Sequence, residues 1–490
     1  MAVRSTAAPS TSNGLLQARQ LTRRGFLYGA SAVAAGLATG PAWSVSRQDN
    51  TPADVTLRIG QVKLDVAPGK TILTTGYNGS VPGPLIRLRE GAPVTVDLFN
   101  DTGMPEYVHW HGFPFSAAID GTQDENSLSV PPHGHLRYRM TPQVSGSRWV
   151  HTHAMSMDDL SAGLYSGQFG FVYVEPKVNP GRYDQEIFLS THEWQPFYID
   201  MDDDDNPTAK EEFGETDWGH SMVEVGYRVA SINGKALGHG EPIRVKGGQR
   251  VLFHILNASA TENIRIALPG HEFLVTALDG NPVPRPSKVS SLDLGASERV
   301  DAIVEMRSPG VWILGSTDSD IRGAGLGILI EYAGHSEITP FAPSRDATWD
   351  YARFGLQQPQ KPADVTLPIS IERIAPDENG LERWALNGKS YRSSDPPVTL
   401  HKGLRYRLAF HNTSSDAHPL HLHRSSFELT SIDGRVSSGL MKDVVLIGAH
   451  QRMEIDWIPE QEGLTLFHCH NQFHMDRGFQ MLFDVKRENS

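Results

Sequence analysis

The sequence predicts an all-β protein built from three consecutive copies of one domain. The observations behind this are short strand-like runs between Gly, Pro and Asn turns, an internal repeat that occurs three times, and a fixed order of elements within each copy. Runs such as Val94-Thr95-Val96-Asp97-Leu98 and Val300-Asp301-Ala302-Ile303-Val304 have the length and patterning of strands in sandwiches or barrels rather than βαβ units. The repeat opens with Asn-Gly, then a strand after Pro, a Gly turn, and a second strand ending in Asn. Its copies are Asn78-Gly79 with Pro84-Leu85-Ile86, Gly91 and Asn100; Asn233-Gly234 with Pro242-Ile243, Gly247 and Asn257; and Asn387-Gly388 with Pro397-Val398, Gly403 and Asn412. The next element runs into an Asp-Gly turn at Asp120-Gly121, Asp279-Gly280 and Asp433-Gly434. The last follows a glycine by five residues, from Gly146 to His151, Gly310 to Gly315 and Gly463 to His468. This spacing divides the chain into a leading segment 1–50 and domains 51–180, 181–340 and 341–490.

Composition narrows the function. The 490 residues carry 44 Lys+Arg against 57 Asp+Glu, a formal charge of −13, with no basic run, which argues against nucleic acid as partner because neutralising phosphates needs clustered Lys and Arg. A single cysteine cannot form an intramolecular disulfide, so the core stands on packing and the thiol is free for chemistry. The 46 Gly and 32 Pro are spread along the chain, as expected of a globular protein. The acidic stretch Asp200-Met201-Asp202-Asp203-Asp204-Asp205-Asn206-Pro207 reads as a solvated loop.

The leading segment differs from the rest. Thr22-Arg23-Arg24-Gly25-Phe26-Leu27 is followed by a Gly/Ala-rich apolar stretch from Gly29 to about Ala42, which resembles a twin-arginine export signal and is too short to span a membrane. The expectation is a periplasmic or secreted bacterial protein delivered folded by the twin-arginine export machinery. No other segment approaches membrane-spanning length.

The chemistry concentrates in histidine. Ten of 21 histidines fall in four clusters: His109-Trp110-His111, His151-Thr152-His153, His418-Pro419-Leu420-His421-Leu422-His423, and His468-Cys469-His470 with His474. In an extended strand alternate side chains share a face, so each His-x-His pair presents two imidazoles roughly 6–7 Å apart. Four pairs supply eight imidazoles, enough for a cluster of several metal ions. Cys469 lies between His468 and His470 and must point to the opposite face, toward a different metal. His474 and His418 remain to join it, and one thiolate with two imidazoles is the trigonal set of blue copper.

The middle copy is an internal control, because it reads Gly315-Ser316-Thr317 where the outer copies carry His151 and His468. The fold therefore does not need these histidines, and the first and last domains must touch to complete the cluster. Isolated histidines such as His192, His254, His271 and His450 are read as structural. Structural zinc favours Cys-rich closed sets, and a two-His-one-carboxylate iron site uses far fewer histidines, so copper is the better inference.

These four motifs, in this order, resemble the three-domain multicopper oxidases, the family of laccases, ascorbate oxidases and bilirubin oxidases, over nearly the whole chain after residue 50. The resemblance implies three cupredoxin-like Greek-key β-barrels. It implies four copper ions: a type 1 copper on His418, Cys469 and His474, a type 2 copper on His109 and His421, and a type 3 pair on His111, His151, His153, His423, His468 and His470. It further implies removal of single electrons from a small-molecule donor at the type 1 site, transfer through Cys469, and reduction of O2 to water at the trinuclear cluster. Asp120 matches a proton-relay carboxylate of the family, with an ordinary Asp-Gly turn as the plainer reading.

Several positions depart from the family pattern. Gln472 and Met475 stand near the last motif where a Glu is frequent, leaving Asp476 as a substitute relay acid. Arg424 follows His423 where glycine is common. Phe479 occupies the axial position five residues after His474; a phenyl ring cannot ligate copper, and loss of a weak axial thioether raises the potential. Met481 reads as core packing. The leading expectation is a laccase-like oxidase of phenols or aromatic amines. A Cu(I) or other metal-ion oxidase in copper tolerance, suggested by Met155, Met157 and Met201, ranks second, ahead of a non-catalytic copper-binding protein and of a nitrite reductase, whose mononuclear catalytic copper would leave several of the eight cluster imidazoles idle.

Overall fold

The computed structural model of the protein describes residues 51–177, 181–200, 223–344, 349–376 and 381–487. The export-like segment and the acidic stretch beyond Asp200 lie outside the described residues. Among the described residues, no helix is long and apolar enough to cross a membrane.

Each copy of the repeat folds into a pair of β-sheets, and the pairs of the middle and last copies correspond strand for strand. In the middle copy the larger sheet runs Val223–Ile232, Gln185–Asp200, Arg250–Asn257, Arg299–Glu305, Phe273–Leu278, Asn281–Val289. In the last it runs Arg383–Leu386, Val365–Ile374, Tyr406–Asn412, Arg452–Trp457, Phe427–Ile432, Arg435–Lys442. Each is backed by a five-stranded sheet, whose central strands in the last copy are Gly463–Cys469 and His418–Leu422. Among the described residues the first copy has two four-stranded sheets, one of which pairs Val108–His111 with Gly146–Thr152.

The repeated asparagines show why the repeat survives in the sequence. Asn78, Asn233 and Asn387 all sit at φ near +50°, an αL conformation that asparagine tolerates before glycine in a hairpin turn. Each amide then bridges back to the neighbouring strand: Asn78 to Arg58 N and Thr56 O, Asn233 to Ser190 N and Phe188 O, Asn387 to Ser370 N and Pro368 O, all within 2.6–3.0 Å. Asn100, Asn257 and Asn412 likewise donate to two loop carbonyls apiece, satisfying buried backbone where the strand ends.

One element of the repeat is corrected. Asp279-Gly280 and Asp433-Gly434 are hairpin turns with φ of 47° and 69°, and 47° and 76°. Asp120-Gly121 is not their counterpart, because the first copy lacks that hairpin. Asp120 ends a short helix, Ala117–Asp120, capped by Gly121 at φ 93°. A Cβ on Gly121 would lie 2.0 Å from the Val108 carbonyl oxygen, so only glycine brings this helix end against the strand that carries His109.

The apolar cores of the middle and last barrels form one continuous cluster, from Leu189 to Val485. The first barrel shares a second apolar cluster with the middle one, in which Val66, Trp149 and Phe171 meet Trp194, Val229 and Leu256, and is tied to it by polar contacts as well. Ser147 donates to Asp301 at 2.5 Å, and His254, 1% exposed, bonds Asp301 at 2.8 Å and Glu186 at 3.2 Å. Burial opposes charge on His254, but the two carboxylates outweigh it and lift the imidazole to about 9. A folded-state pKa raised above the unfolded value of about 6.5 stabilises by up to roughly 3 kcal/mol below that pH, a contribution lost as pH climbs through 9. Thermal melts from pH 6 to 10 should therefore show a fall in Tm that His254→Gln lacks; parallel curves would remove His254 from the ledger.

Candidate metal centre

The register of the outer barrels sets the site. His109 pairs with His151 across the first barrel's strands, and His421 pairs with His468 across the last barrel's. The corresponding pair in the middle barrel is Ala267 with Gly315. The outer barrels meet face to face: the rings of His111 and His421 stack at 3.8 Å, those of His109 and His423 at 4.1 Å, and His153 lies 5.3 Å from His468. All eight imidazoles of the four His-x-His pairs converge on one buried space. His153, His423 and His468 have ring nitrogens within 4.8 Å of one another, and so do His109, His421 and His423. The rings of His111, His151 and His470 form a triangle with sides of 5.6, 5.2 and 5.2 Å.

Hydrogen bonds orient these rings from outside. His109 donates from Nδ1 to the Asp120 carbonyl at 2.8 Å, His421 to the Asp443 carbonyl at 2.8 Å, His151 to the Thr152 carbonyl at 2.7 Å and His468 to the Cys469 carbonyl at 2.8 Å. The inward Nε2 atoms of His109, His153 and His421, and both ring nitrogens of His470, are buried without a protein partner. Buried polar atoms are rarely orphaned, and bare nitrogens facing one another mark a cation site. Desolvation, reinforced by the neighbouring rings, pushes His111, His151, His153, His421, His423 and His470 far below the ordinary histidine range, and holds His468 at about 3, so the rings are neutral and their lone pairs available.

The second set lies on the other face of the same strand. Cys469 Sγ is 3.8 Å from His418 Nδ1 and 3.7 Å from His474 Nδ1, and these two nitrogens face each other at 3.1 Å. Trp384 and Phe479 close the pocket, with Phe479 4.9 Å from the His418 ring. Burial raises the Cys469 thiol, which a bound soft metal would deprotonate. One sulfur and two imidazole nitrogens beside the apolar Phe479 ring are a donor set that would suit copper in the blue-copper manner. Met481 packs against the apolar core, and His192, His254 and His271 bond protein partners as structural histidines do.

Two carboxylates stand against the cluster. Asp120 Oδ2 accepts from His423 Nδ1 at 2.8 Å and lies 3.1 Å from His109 Nδ1. Glu125, absent from the sequence reading, has Oε1 3.7 Å from His423 Nδ1, where it accepts the Leu466 amide at 2.7 Å. Asp476, the expected substitute acid, instead accepts from Ser156 and Met157 amides and the Ser156 hydroxyl at 2.6–3.1 Å, and no hydrogen bond ties it to a cluster imidazole. Arg424 occupies a left-handed φ of 56°, which explains the preference for glycine there; its guanidinium is held by the Phe115, Leu464 and Glu462 carbonyls.

Family models for multicopper oxidases match residues 58–179, 201–329 and 361–489. The chain belongs to the multicopper oxidase family. The oxidase is accordingly a copper-binding oxidoreductase. It is 28% identical to the multicopper oxidase MmcO of Mycobacterium tuberculosis over 97% of this chain and 99% of that one. It is 25% identical to a copper resistance protein A homolog of Pseudomonas syringae pv. tomato, over 66% and 60% of the two chains. A laccase from Botrytis aclada, 18% identical, superposes with a TM-score of 0.70 over 89% of each chain, a likeness that shows the cupredoxin-like fold.

Proposed function

We propose that the oxidase takes single electrons from phenols or aromatic amines, as laccases do, and reduces O2 to water with four copper ions. His418, Cys469 and His474 would hold a type 1 copper, His109 and His421 a type 2, and His111, His151, His153, His423, His468 and His470 a type 3 pair. The observation that carries this reading is the single strand on which Cys469 faces one set and its neighbours His468 and His470 face the other. Bound copper would supply the one-electron redox steps and the binding of O2. The protein supplies three things: rings held in fixed tautomers by outward hydrogen bonds, burial of the cluster, and Asp120 as a proton carrier beside His423. We place the domain limits near residues 180 and 340, and assign residues 1–50 to twin-arginine export toward the periplasm or exterior.

His474, 8% exposed, is the most open of the eleven residues and edges a cavity of about 350 Å3 lined by Glu224, Glu262, Asn263, Asp416 and Phe473. This is the door for the donor. Burial and nearby Glu224 raise Glu262 to about 7, while Arg373 pairs with Asp416. An acidic lining favours cationic donors, and Met155 and Met157 are exposed near the helix Gln472–Asp476 that carries His474, with the Met157 amide bonded to Asp476. These features favour, as second reading, oxidation of Cu(I) or another metal ion. A donor screen on copper-loaded protein, with O2 uptake as readout, separates the two: faster turnover of phenols than of Cu(I) across pH supports the laccase reading, and the reverse order overturns it. In the same screen, on the alkaline side of the Glu262 value of about 7 where it is charged, Glu262→Gln should raise KM about 5-fold for a cationic donor, near the 1 kcal/mol of one partly solvated charge contact, and leave an uncharged donor unchanged.

A further inference from the structure

The middle barrel contributes none of the eleven clustered residues, yet it reaches the cluster. Six of its eight imidazoles turn Nδ1 outward to a protein partner, and His470 has no partner on either nitrogen. His111 is reversed. Its Nδ1 faces His151 Nε2 at 3.4 Å, and its Nε2 faces outward to Asp443 Oδ1 at 3.1 Å and Ser297 Oγ at 3.2 Å. Neither partner belongs to the first barrel: Asp443 follows a strand of the last barrel and Ser297 lies between two strands of the middle one.

Both partners are fixed by the middle barrel. Arg299 grips the Asp443 carboxylate with two bonds of 2.7 and 2.6 Å, and the Asp279 side chain accepts the Asp443 and Val444 amides at 3.2 Å. Ser297 sits at φ 79°, uncommon for a residue with a side chain, and is held there by its amide bond to Asn257 at 2.7 Å. His111, Ser297, Arg299 and Asp443 are each 0% exposed. The packing leaves no slack: a Cβ on Gly112 would fall 2.6 Å from Asp443 Oδ2 and 2.9 Å from Arg299 Nη2.

We infer that Ser297 and the Arg299–Asp443 pair are positioning residues through which the ligand-free middle barrel sets the ring orientation and tautomer of His111, and with them the hold of the cluster on its copper. An imidazole that donates Nε2–H to a carboxylate presents Nδ1 as its lone pair and becomes a stronger donor. The two-bonded guanidinium fixes the plane of that carboxylate, which a lysine cannot do.

The inference rests on the ligand assignment above, and its test separates the two. Full-length protein is loaded with copper and dialysed against a chelator; copper per chain, the type 2 signal in electron paramagnetic resonance and the blue absorption band are then measured. Outer partners of metal ligands typically matter about 10–100-fold in affinity, so Arg299→Met and Asp443→Asn should release cluster copper that much more readily while blue absorbance per chain is kept. Ser297→Ala should show a smaller loss in the same direction, and Arg299→Lys should recover only part of the hold. Ser147→Ala, which breaks a contact between the first and middle barrels away from the cluster, should match the unmodified protein. Equal chelator resistance in Ser297→Ala and Arg299→Met, or a parallel loss of the blue band, overturns the inference. Should Arg299→Met fail to fold, Ser297→Ala decides alone. An unmodified protein that takes up copper without turning blue would strike the ligand assignment instead.

Discussion

Replacing Cys469 by serine should leave a folded, colourless protein whose O2 uptake falls to background with every donor. Serine is nearly isosteric with cysteine, and the 0% exposed site is bounded by Trp384 and Phe479, so the cost to folding is about that of one buried hydroxyl, ~1–3 kcal/mol. The chemical cost is total, because the thiol sulfur at 3.7–3.8 Å from His418 and His474 is the only soft donor in the set. The same residue connects the two centres twice over. Its backbone continues directly into His468 and His470, and its carbonyl accepts the Nδ1 proton of His468 at 2.8 Å, a hydrogen-bonded shortcut from the thiol side to the cluster side. His109 and His421 keep their own outward partners in this variant, so the type 2 signal in electron paramagnetic resonance should survive. O2 uptake above a few per cent of the unmodified rate would mean that electrons enter elsewhere and would sink the assignment of His474 as the door.

The fold and the gathering of the clustered histidines were legible for the same physical reason: both rest on local patterns repeated in one chain. An Asn that bridges strands at each hairpin, and a His-x-His that places two rings on one sheet face, leave short signatures, and the middle copy's Ala267 and Gly315 show which signatures the fold does without. What escaped lies in contacts between distant segments. Asp443 is 332 residues from His111, and nothing in Lys442-Asp443-Val444 distinguishes a buried carboxylate from a strand-end turn. Glu125 sits in the polar run Thr122-Gln123-Asp124-Glu125-Asn126, which reads as a solvated loop, yet it is 2% exposed. A signal was available there. The Asp-Gly turns of the other copies are followed by strands, Asn281–Val289 and Arg435–Lys442, while Asp120-Gly121 is followed by no strand-like run. The missing hairpin frees Asp120 and Glu125 to face the cluster.

Asp120→Asn is expected to cut O2 uptake by about 100-fold or more, the usual worth of a positioned proton-transfer group, with copper content unchanged. Reduction of O2 to two waters consumes four protons as well as four electrons, and the cluster imidazoles are buried, so side chains have to pass protons inward. Asp120 is 0% exposed, its Oδ2 is engaged by His423 at 2.8 Å, and its Oδ1 has no partner and is free to carry a proton. Asparagine keeps the shape and an acceptor oxygen for His423 but cannot exchange that proton. Glu125 stands next in line. Burial, with the Asp120 charge beside it, holds its carboxyl well above the usual carboxylate range and so favours the protonated form that can hand a proton on. The unmodified rate should therefore fall as rising pH removes the Glu125 proton, and Glu125→Gln should lower the rate less than Asp120→Asn while flattening that fall. Anaerobic bleaching of the blue band by a donor should be the same in all three proteins, since it requires no proton at the cluster. If Asp120→Asn instead loses copper in step with activity, Asp120 only orients His423 and His109, and the protons reach the cluster by another route.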